Sequence, residues 1–466
     1  MSFKAAGIGQ VPAHWEVAEL RAFLRRITYG FTNPMPDTDE GPWKLTAKDV
    51  VNGYINYDTA RRTSQEAFDK LLTDKSRPNV GDVLLTKDGS IGRVAVVDRE
   101  GICINQSVAL LQPNEKINPY FLKYLLIAPY YQRVMDNDSD GSTIKHIYIT
   151  RVDKMEIAVP PVEEQERILQ VIKTLDDKIE LNRQINQALE QIAQTIFKSW
   201  FVDFEPVKAK IEAKAAGQDP ERAAMCAISG KLEPELDQLP PEQYQQLAAT
   251  AALFPDALVK SELGLIPEGW EVRPLDQIAD YLNGLALQKF PPENDTDYLP
   301  VIKIAQLKKG DTEGADRASS KLKPEYIVND GDVLFSWSGS LAVDVWCGGL
   351  GALNQHLFKV TSPDYPKWFY LFWTKFHLID FQSIAADKAV TMGHIQRKHL
   401  TAALCVVPPA LKVEKFDAFV APLLAQQIEL RKESRDLATL RDTLLPKLLS
   451  GELTVGNCEQ QVEACA

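Results

Sequence analysis

The chain has 466 residues, enough for two to four domains with real cores, and its 45% hydrophobic and 25% charged side chains are those of an ordinary globular protein. Its apolar runs fall short of the roughly 18 residues that a membrane-spanning helix needs. A net charge of -12 argues against a generally basic nucleic-acid binder.

The charge is unevenly spread. Residues 1–160 hold 20 Lys and Arg against 20 Asp and Glu, 200–262 hold 6 against 11, and 263–410 hold 14 against 17. A local basic groove is open to either flank, but tight phosphate binding by the chain alone is not expected. The six cysteines (Cys103, Cys226, Cys347, Cys405, Cys458 and Cys465) are scattered, and the first seven residues lack the apolar core of a signal peptide. Both features predict a cytoplasmic location.

In chain order, residues 82–86 and 93–97 are β-rich runs joined by Asp88-Gly89-Ser90, a hairpin signal. Residues 102–111 form a predicted strand, 120–135 an aromatic-rich helix, and 157–159 a last strand before Pro160-Pro161. Ile168, Ile172, Leu175, Ile179, Asn182, Asn186, Leu189, Ala193, Ile196 and Trp200 then alternate steps of four and three, a heptad seam. Glu163, Glu164 and Glu166 in its first turns suit the helix dipole. Residues 205–262 read as a looser acidic stretch with helical pieces near 221–228 and 241–253.

The order then begins again. Residues 332–337 and 342–346 pair, 353–360 follow, and 366–384 are the helix. After Pro408-Pro409 a second seam runs through Phe416, Val420, Leu423, Gln427, Leu430, Ser434, Leu437, Arg441, Leu444 and Leu448, with Pro422 predicted to kink or restart its helix. Asn182, Asn186, Gln427 and Ser434 lie mid-seam, where polar residues fix register at a cost in stability. The two rods either lie on their own domains or pair with each other; antiparallel pairing would place the two modules at opposite ends.

Shared landmarks make the duplication explicit. Trp15, Gly81-Asp82-Val83-Leu84, Asn105-Gln106, Thr143, His146 and Ile147 return as Trp270, Gly331-Asp332-Val333-Leu334, Asn354-Gln355, Thr391, His394 and Ile395. The resulting map is a first module over 1–160, a rod over 161–204, an acidic insert over 205–262, a second module over 263–409, a second rod over 410–452 and a flexible tail over 453–466.

Catalytic signatures are missing. There is no P-loop, and Gly230-Lys231-Leu232 fails on its last residue. Asn118-Pro119-Tyr120-Phe121 lacks the second proline of an amino-methyltransferase motif and simply starts a helix. His394 and His399 have half of a zinc-finger spacing without a cysteine pair, so no metal site is expected. The chain reads as non-catalytic.

At the rod ends stand Phe197-Lys198-Ser199-Trp200-Phe201-Val202-Asp203-Phe204-Glu205-Pro206 and Leu444-Leu445-Pro446-Lys447-Leu448-Leu449-Ser450-Gly451-Glu452-Leu453. With Pro267-Glu268-Gly269-Trp270 and the two Gly-Asp-Val-Leu strings, they resemble the specificity subunit of a Type I restriction-modification system, over nearly the whole chain. The resemblance implies an α+β fold: two pseudo-repeated mixed α/β target-recognition domains separated by two long conserved helices forming an antiparallel coiled coil. It implies a non-catalytic subunit that reads a bipartite site on double-stranded DNA. Two N6-adenine methyltransferase subunits and motor-nuclease restriction subunits would dock on it. No cofactor is then expected in this chain; S-adenosylmethionine, ATP and magnesium belong to the partners. A protein-only coiled-coil adaptor and a stand-alone methyltransferase with degenerate motifs remain as other readings.

The two halves of such a site differ in sequence, so residues common to both modules should build the fold or touch phosphate, and base readers should lie where the copies diverge. Asn105-Gln106 and Asn354-Gln355 are therefore read as scaffold. The diverging regions are 52–77 against 308–326, 86–93 against 336–342, and 132–145 against 380–398. The DNA-binding candidates in them are Arg61, Arg62, Lys87, Arg93 and Lys145 in the first module, and Lys308, Lys309, Arg317, Trp337, Arg397 and Lys398 in the second. Trp337 is read as packed rather than intercalated.

Overall fold

All four residues of Val83–Thr86 and the first four of Val108–Pro113 are buried, because their sheet is covered on both faces. Val83, Leu85, Ala109 and Leu111 face a core that holds Trp15, Phe121 and Ile172, whereas Leu84, Val108 and Leu110 face one built around Leu45, Ile102 and Ile104. The period-two alternation of a strand thus feeds two cores at once. The computed structural model describes residues 3–51, 53–140, 145–387 and 393–455. It divides into two compact units, Met1–Lys178 with Leu437–Ala466, and Ile179–Asp436.

In the first unit the main sheet runs Val94–Val96, Val83–Thr86, Val108–Pro113, Leu24–Tyr29, antiparallel throughout. Beside it Thr38–Leu45 pairs in parallel with Ile102–Ile104 and antiparallel with Arg61–Arg62. Glu16–Glu19 pairs with Glu156–Val159 just before the first long helix. The second unit has the same plan. Ala342–Val345, Val333–Ser336, Leu357–Thr361 and Asp280–Asn283 follow in the same antiparallel order. Tyr298–Ile302 is parallel to Gly351–Leu353, and Glu271–Pro274 pairs with Leu404–Val407. The α+β architecture of two repeated mixed domains is borne out.

The long helices are Val162–Phe197 and Ala410–Leu449. Every seam position read from the sequence is buried or half-buried. In the first unit Ile168, Ile172 and Leu175 share a core with Leu444, Leu445 and Leu448, and Arg441 Nη1 donates to Asp176 Oδ1 at 2.8 Å. In the second unit Asn182 Nδ2 donates to Glu433 Oε2 at 2.7 Å, and the Gln427 amide nitrogen faces Glu190 Oε2 at 3.1 Å. One partner number rises as the other falls, so these helical stretches run antiparallel. Asn186 and Ser434 are half-buried on the same seam, with Ser434 Oγ turned back to Leu430 O.

Several sequence expectations need correction. The run 102–111 is two strands, broken at Asn105-Gln106, because Asn105 Oδ1 accepts from Ser107 N and Oγ and turns the chain. The run 353–360 breaks likewise at Asn354-Gln355-His356. The helix expected over 120–135 is two, Pro119–Ile127 and Pro129–Asn137, because Pro129 holds Ala128 in an extended conformation. The helix over 366–384 is split at His377. Conversely, Ala410–Leu449 does not restart at Pro422: the proline is exposed, and buried Val420 and Leu424 hold the helix on its core to either side. The insert is not loose. Four helices between Glu205 and Ala251 enclose Ala224, Met225, Leu236 and Ala251, and the buried Lys210 donates to Glu221 Oε1 at 2.6 Å and Phe254 O at 2.9 Å.

The four cysteines Cys103, Cys226, Cys347 and Cys405 are free thiols, and burial pushes Cys103 up to about 12. Asn52, Thr143, Thr391, Cys458, Cys465 and the tail from 456 onward lie outside the described residues. Among the described residues no helix is long and apolar enough to cross a membrane.

Candidate nucleic-acid interface

The two diverging regions around the hairpins meet on a backbone frame that both units share. In the first, Gly89 N donates to Lys145 O and Ile147 N to Lys87 O, both at 2.9 Å. In the second, Gly339 N donates to Gly393 O at 2.8 Å and Ile395 N to Trp337 O at 3.0 Å. Each hairpin is closed by a hydroxyl: Arg93 N donates to Thr86 Oγ1 at 2.9 Å, and Ala342 N to Ser336 Oγ at 2.8 Å. The end of another strand completes the frame, Tyr29 in one unit and Asn283 in the other. The next residue is glycine in both. A Cβ on Gly30 would lie 1.8 Å from Ile104 O, and one on Gly284 would lie 2.3 Å from Asn354 O. Only glycine allows this approach.

Three other shared pairs are structural. Asn105 and Asn354 turn the chain, as above. Asn79 N donates to Asp82 Oδ2 and Asn329 N to Asp332 Oδ2, each at 2.8 Å, which forms the same turn before each hairpin. Trp15 and Trp270 are buried in the two cores.

On this frame the side chains differ. In the first unit Lys87 donates to Asp88 Oδ2 at 2.9 Å with its ammonium 5.4 Å from the Tyr29 ring centre. Asp88 also holds His146, whose ring meets Tyr148 edge-on. In the second unit Trp337 Nε1 donates to Asn283 Oδ1 at 2.9 Å, and the indole lies 5.8 Å from the Phe358 ring. The Arg397 guanidinium is 5.9 Å from the same ring and donates to Tyr281 O at 3.1 Å. Ser338 Oγ is 2.9 Å from His356 Nδ1.

The structure gathers some predicted residues at these heads and leaves others apart. Lys87 and Lys145 share the first head, but Lys87 is only 7% exposed, so its ammonium is withdrawn against Tyr29 and Asp88. Lys145 is exposed beside Asp136, and Arg93 is half-buried in the hairpin. Trp337 and Arg397 form the second head; Trp337 is half-buried against Phe358, and Lys398 is exposed next to Arg397. Lys308 reaches the second hairpin through Ser340 Oγ, whereas Lys309 turns to Asp311 and Glu313. Arg61, Arg62 and Arg317 lie on the other sheets. Arg61 pairs with Asp37 at 2.8 Å, Arg62 lies 4.1 Å from the Trp43 ring centre, and Arg317 lies 4.3 Å from that of Tyr298. Tyr29, Tyr148, Asn283 and His356 were not among the sequence candidates. Tyr29 and Asn283 carried a signal nonetheless, since each precedes the shared glycine and they differ in type.

A frame held constant while the side chains it carries change suits recognition of differing sequences. The family model for the Type I restriction modification DNA specificity domain matches residues 37–191 and 267–414. The chain belongs to the Type I restriction-modification DNA specificity family. The HindI specificity subunit of Haemophilus influenzae is 29% identical over 400 residues, 80% of this chain and 86% of that protein. The MjaIX specificity subunit of Methanocaldococcus jannaschii is 26% identical over 469 residues, 97% of this chain and 96% of that one. The crystal structure of a Type I restriction-modification S subunit from M. genitalium shares the fold, with a TM-score of 0.50 at 15% identity over 94% of this chain and 96% of that one. The second matched segment of this specificity subunit contains the whole second head, and the first contains all of the first head but Tyr29.

Proposed function

We propose that this specificity subunit reads a two-part site on double-stranded DNA, one half per domain, and performs no catalysis itself. The observation that carries the reading is the shared frame with unlike side chains: Tyr29, Lys87 and Asp88 in one head, Asn283, Trp337 and Ser338 in the other. Common backbone geometry holds each head to the duplex in the same way, and the exposed side chains, Tyr29 in one head and Asn283 in the other, meet different base edges on the support of the buried ones. The paired long helices set the spacing between the halves. Two N6-adenine methyltransferase subunits and motor-nuclease subunits dock on the chain, and S-adenosylmethionine, ATP and magnesium belong to those partners. The target adenine is extruded into a methyltransferase pocket rather than into this chain. The specificity-subunit names of the relatives support this division of labour.

The test is a map of methylated adenines in cells with and without this chain, its methyltransferase subunit present in both. A split motif that vanishes with the chain is expected; an unchanged map contradicts the proposal.

A further inference from the structure

The second head presents donors. Trp has only an N–H to offer, so its bond to Asn283 fixes the amide with Oδ1 toward the indole and turns the NH2 group away from it. Asn283 itself is exposed at the end of its strand. It pairs in register with Phe358, and the Arg397 guanidinium lies 5.9 Å from the centre of the same ring. Arg397 is exposed, and Tyr281 O holds one edge of its guanidinium. Two donor groups, neither of them able to accept at its outer edge, therefore converge around one buried phenyl ring. Among the described residues the first head lacks this pair: Tyr29 stands where Asn283 does, and its hydroxyl both donates and accepts.

We infer that Asn283 and Arg397 are specificity-determining residues that read a base pair rich in major-groove acceptors, a guanine through N7 and O6, and that Trp337 is the positioning residue that orients Asn283. A double-acceptor edge is what guanine alone offers in that groove. This rests on the DNA-reading role proposed above and names part of what the second domain reads.

The test uses the full chain assembled with its methyltransferase subunit and a panel of duplexes, each altering one base pair of the wild-type site. Competition binding gives the preference at every position as a ratio, so a general loss of affinity cancels. Arg397→Lys and Asn283→Asp should each lower the preference for guanine at one position of one half-site by about 5- to 150-fold, leaving the other half unchanged. Trp337→Phe, which keeps the ring and deletes the N–H, should weaken the same position. Ratios unchanged at every position, or affinity lost uniformly across the panel, would overturn the inference. If the wild-type assembly itself shows no preference at any position, it is the DNA-reading role that fails.

Discussion

Asn182 Nδ2 donates to Glu433 Oε2 at 2.7 Å, a bond between residues 251 positions apart in sequence. Asn182 is fully buried, and its Oδ1 has no hydrogen-bond partner among the described residues. Such a contact costs stability and is satisfied in one register only. Asn182→Ala removes one donor from Glu433 and should destabilise the second unit by about 1–3 kcal/mol. Asn182→Leu combined with Glu433→Leu should recover most of that loss. A double-mutant cycle by thermal unfolding checks this; coupling below about 0.5 kcal/mol would mean the pair does not set register.

Gly30 and Gly284 should tolerate no side chain. A Cβ at either would collide with a carbonyl oxygen of the backbone, which cannot swing aside as a side chain can. Gly30→Ala and Gly284→Ala are each expected to cost about 1–3 kcal/mol or more, read as a fall in melting temperature. Gly217→Ala is the control for space, since nothing lies within 4 Å of its Cβ position, though its φ of +70° makes it mildly strained.

His377 should make the second unit acid-sensitive. Burial holds its pKa below the ordinary histidine value, although Leu404 O at 3.1 Å and Asp380 work the other way. On acidification the unfolded chain takes up this proton first. The contribution of neutral His377 is therefore complete above about pH 6.5 and is lost as the pH falls below that. His377→Gln should flatten the decline in melting temperature between about pH 7 and 5 relative to wild type. Parallel declines would show that other groups control the acid limit.

Lys87 and Lys308 separate burial from exposure. Lys87 is withdrawn beside Asp88, whereas Lys308 is exposed at the second hairpin. If Lys308 meets phosphate, Lys308→Ala should weaken binding of the assembled subunit equally on all sequences and reduce the salt slope by about 1. Lys87→Ala should instead lower thermal stability, by leaving Asp88 with one partner fewer. Salt titrations of binding and thermal melts distinguish the two.

Much of the fold was legible in the sequence because it was written twice. Repeated landmarks showed that the domain occurs twice, and the three-four alternation located the seam to the residue. The misread boundaries share a cause. Buried strands give unbroken apolar runs, so the turn at Asn105-Gln106 is hidden inside one. A proline breaks a helix or does not according to what packs beside it: Pro129 starts a new helix, whereas Pro422 rides on the outside of one held by Val420 and Leu424. The heads were half legible. Divergence pointed to the hairpins, but charge alone could not separate withdrawn Lys87 from exposed Arg397. It also could not show that Asn283 lies against Trp337, 54 residues away.

The most direct test of the account exchanges one head for the other without touching the frame. Asn283→Tyr, Trp337→Lys and Ser338→Asp together place the first head's side chains on the second domain. With the methyltransferase subunit present, mapped methylation should show one half of the recognition sequence changed, with the other half and the spacing retained. A recognition sequence unchanged in both halves, or altered in the half read by the first domain, would contradict the claim that these side chains carry the specificity.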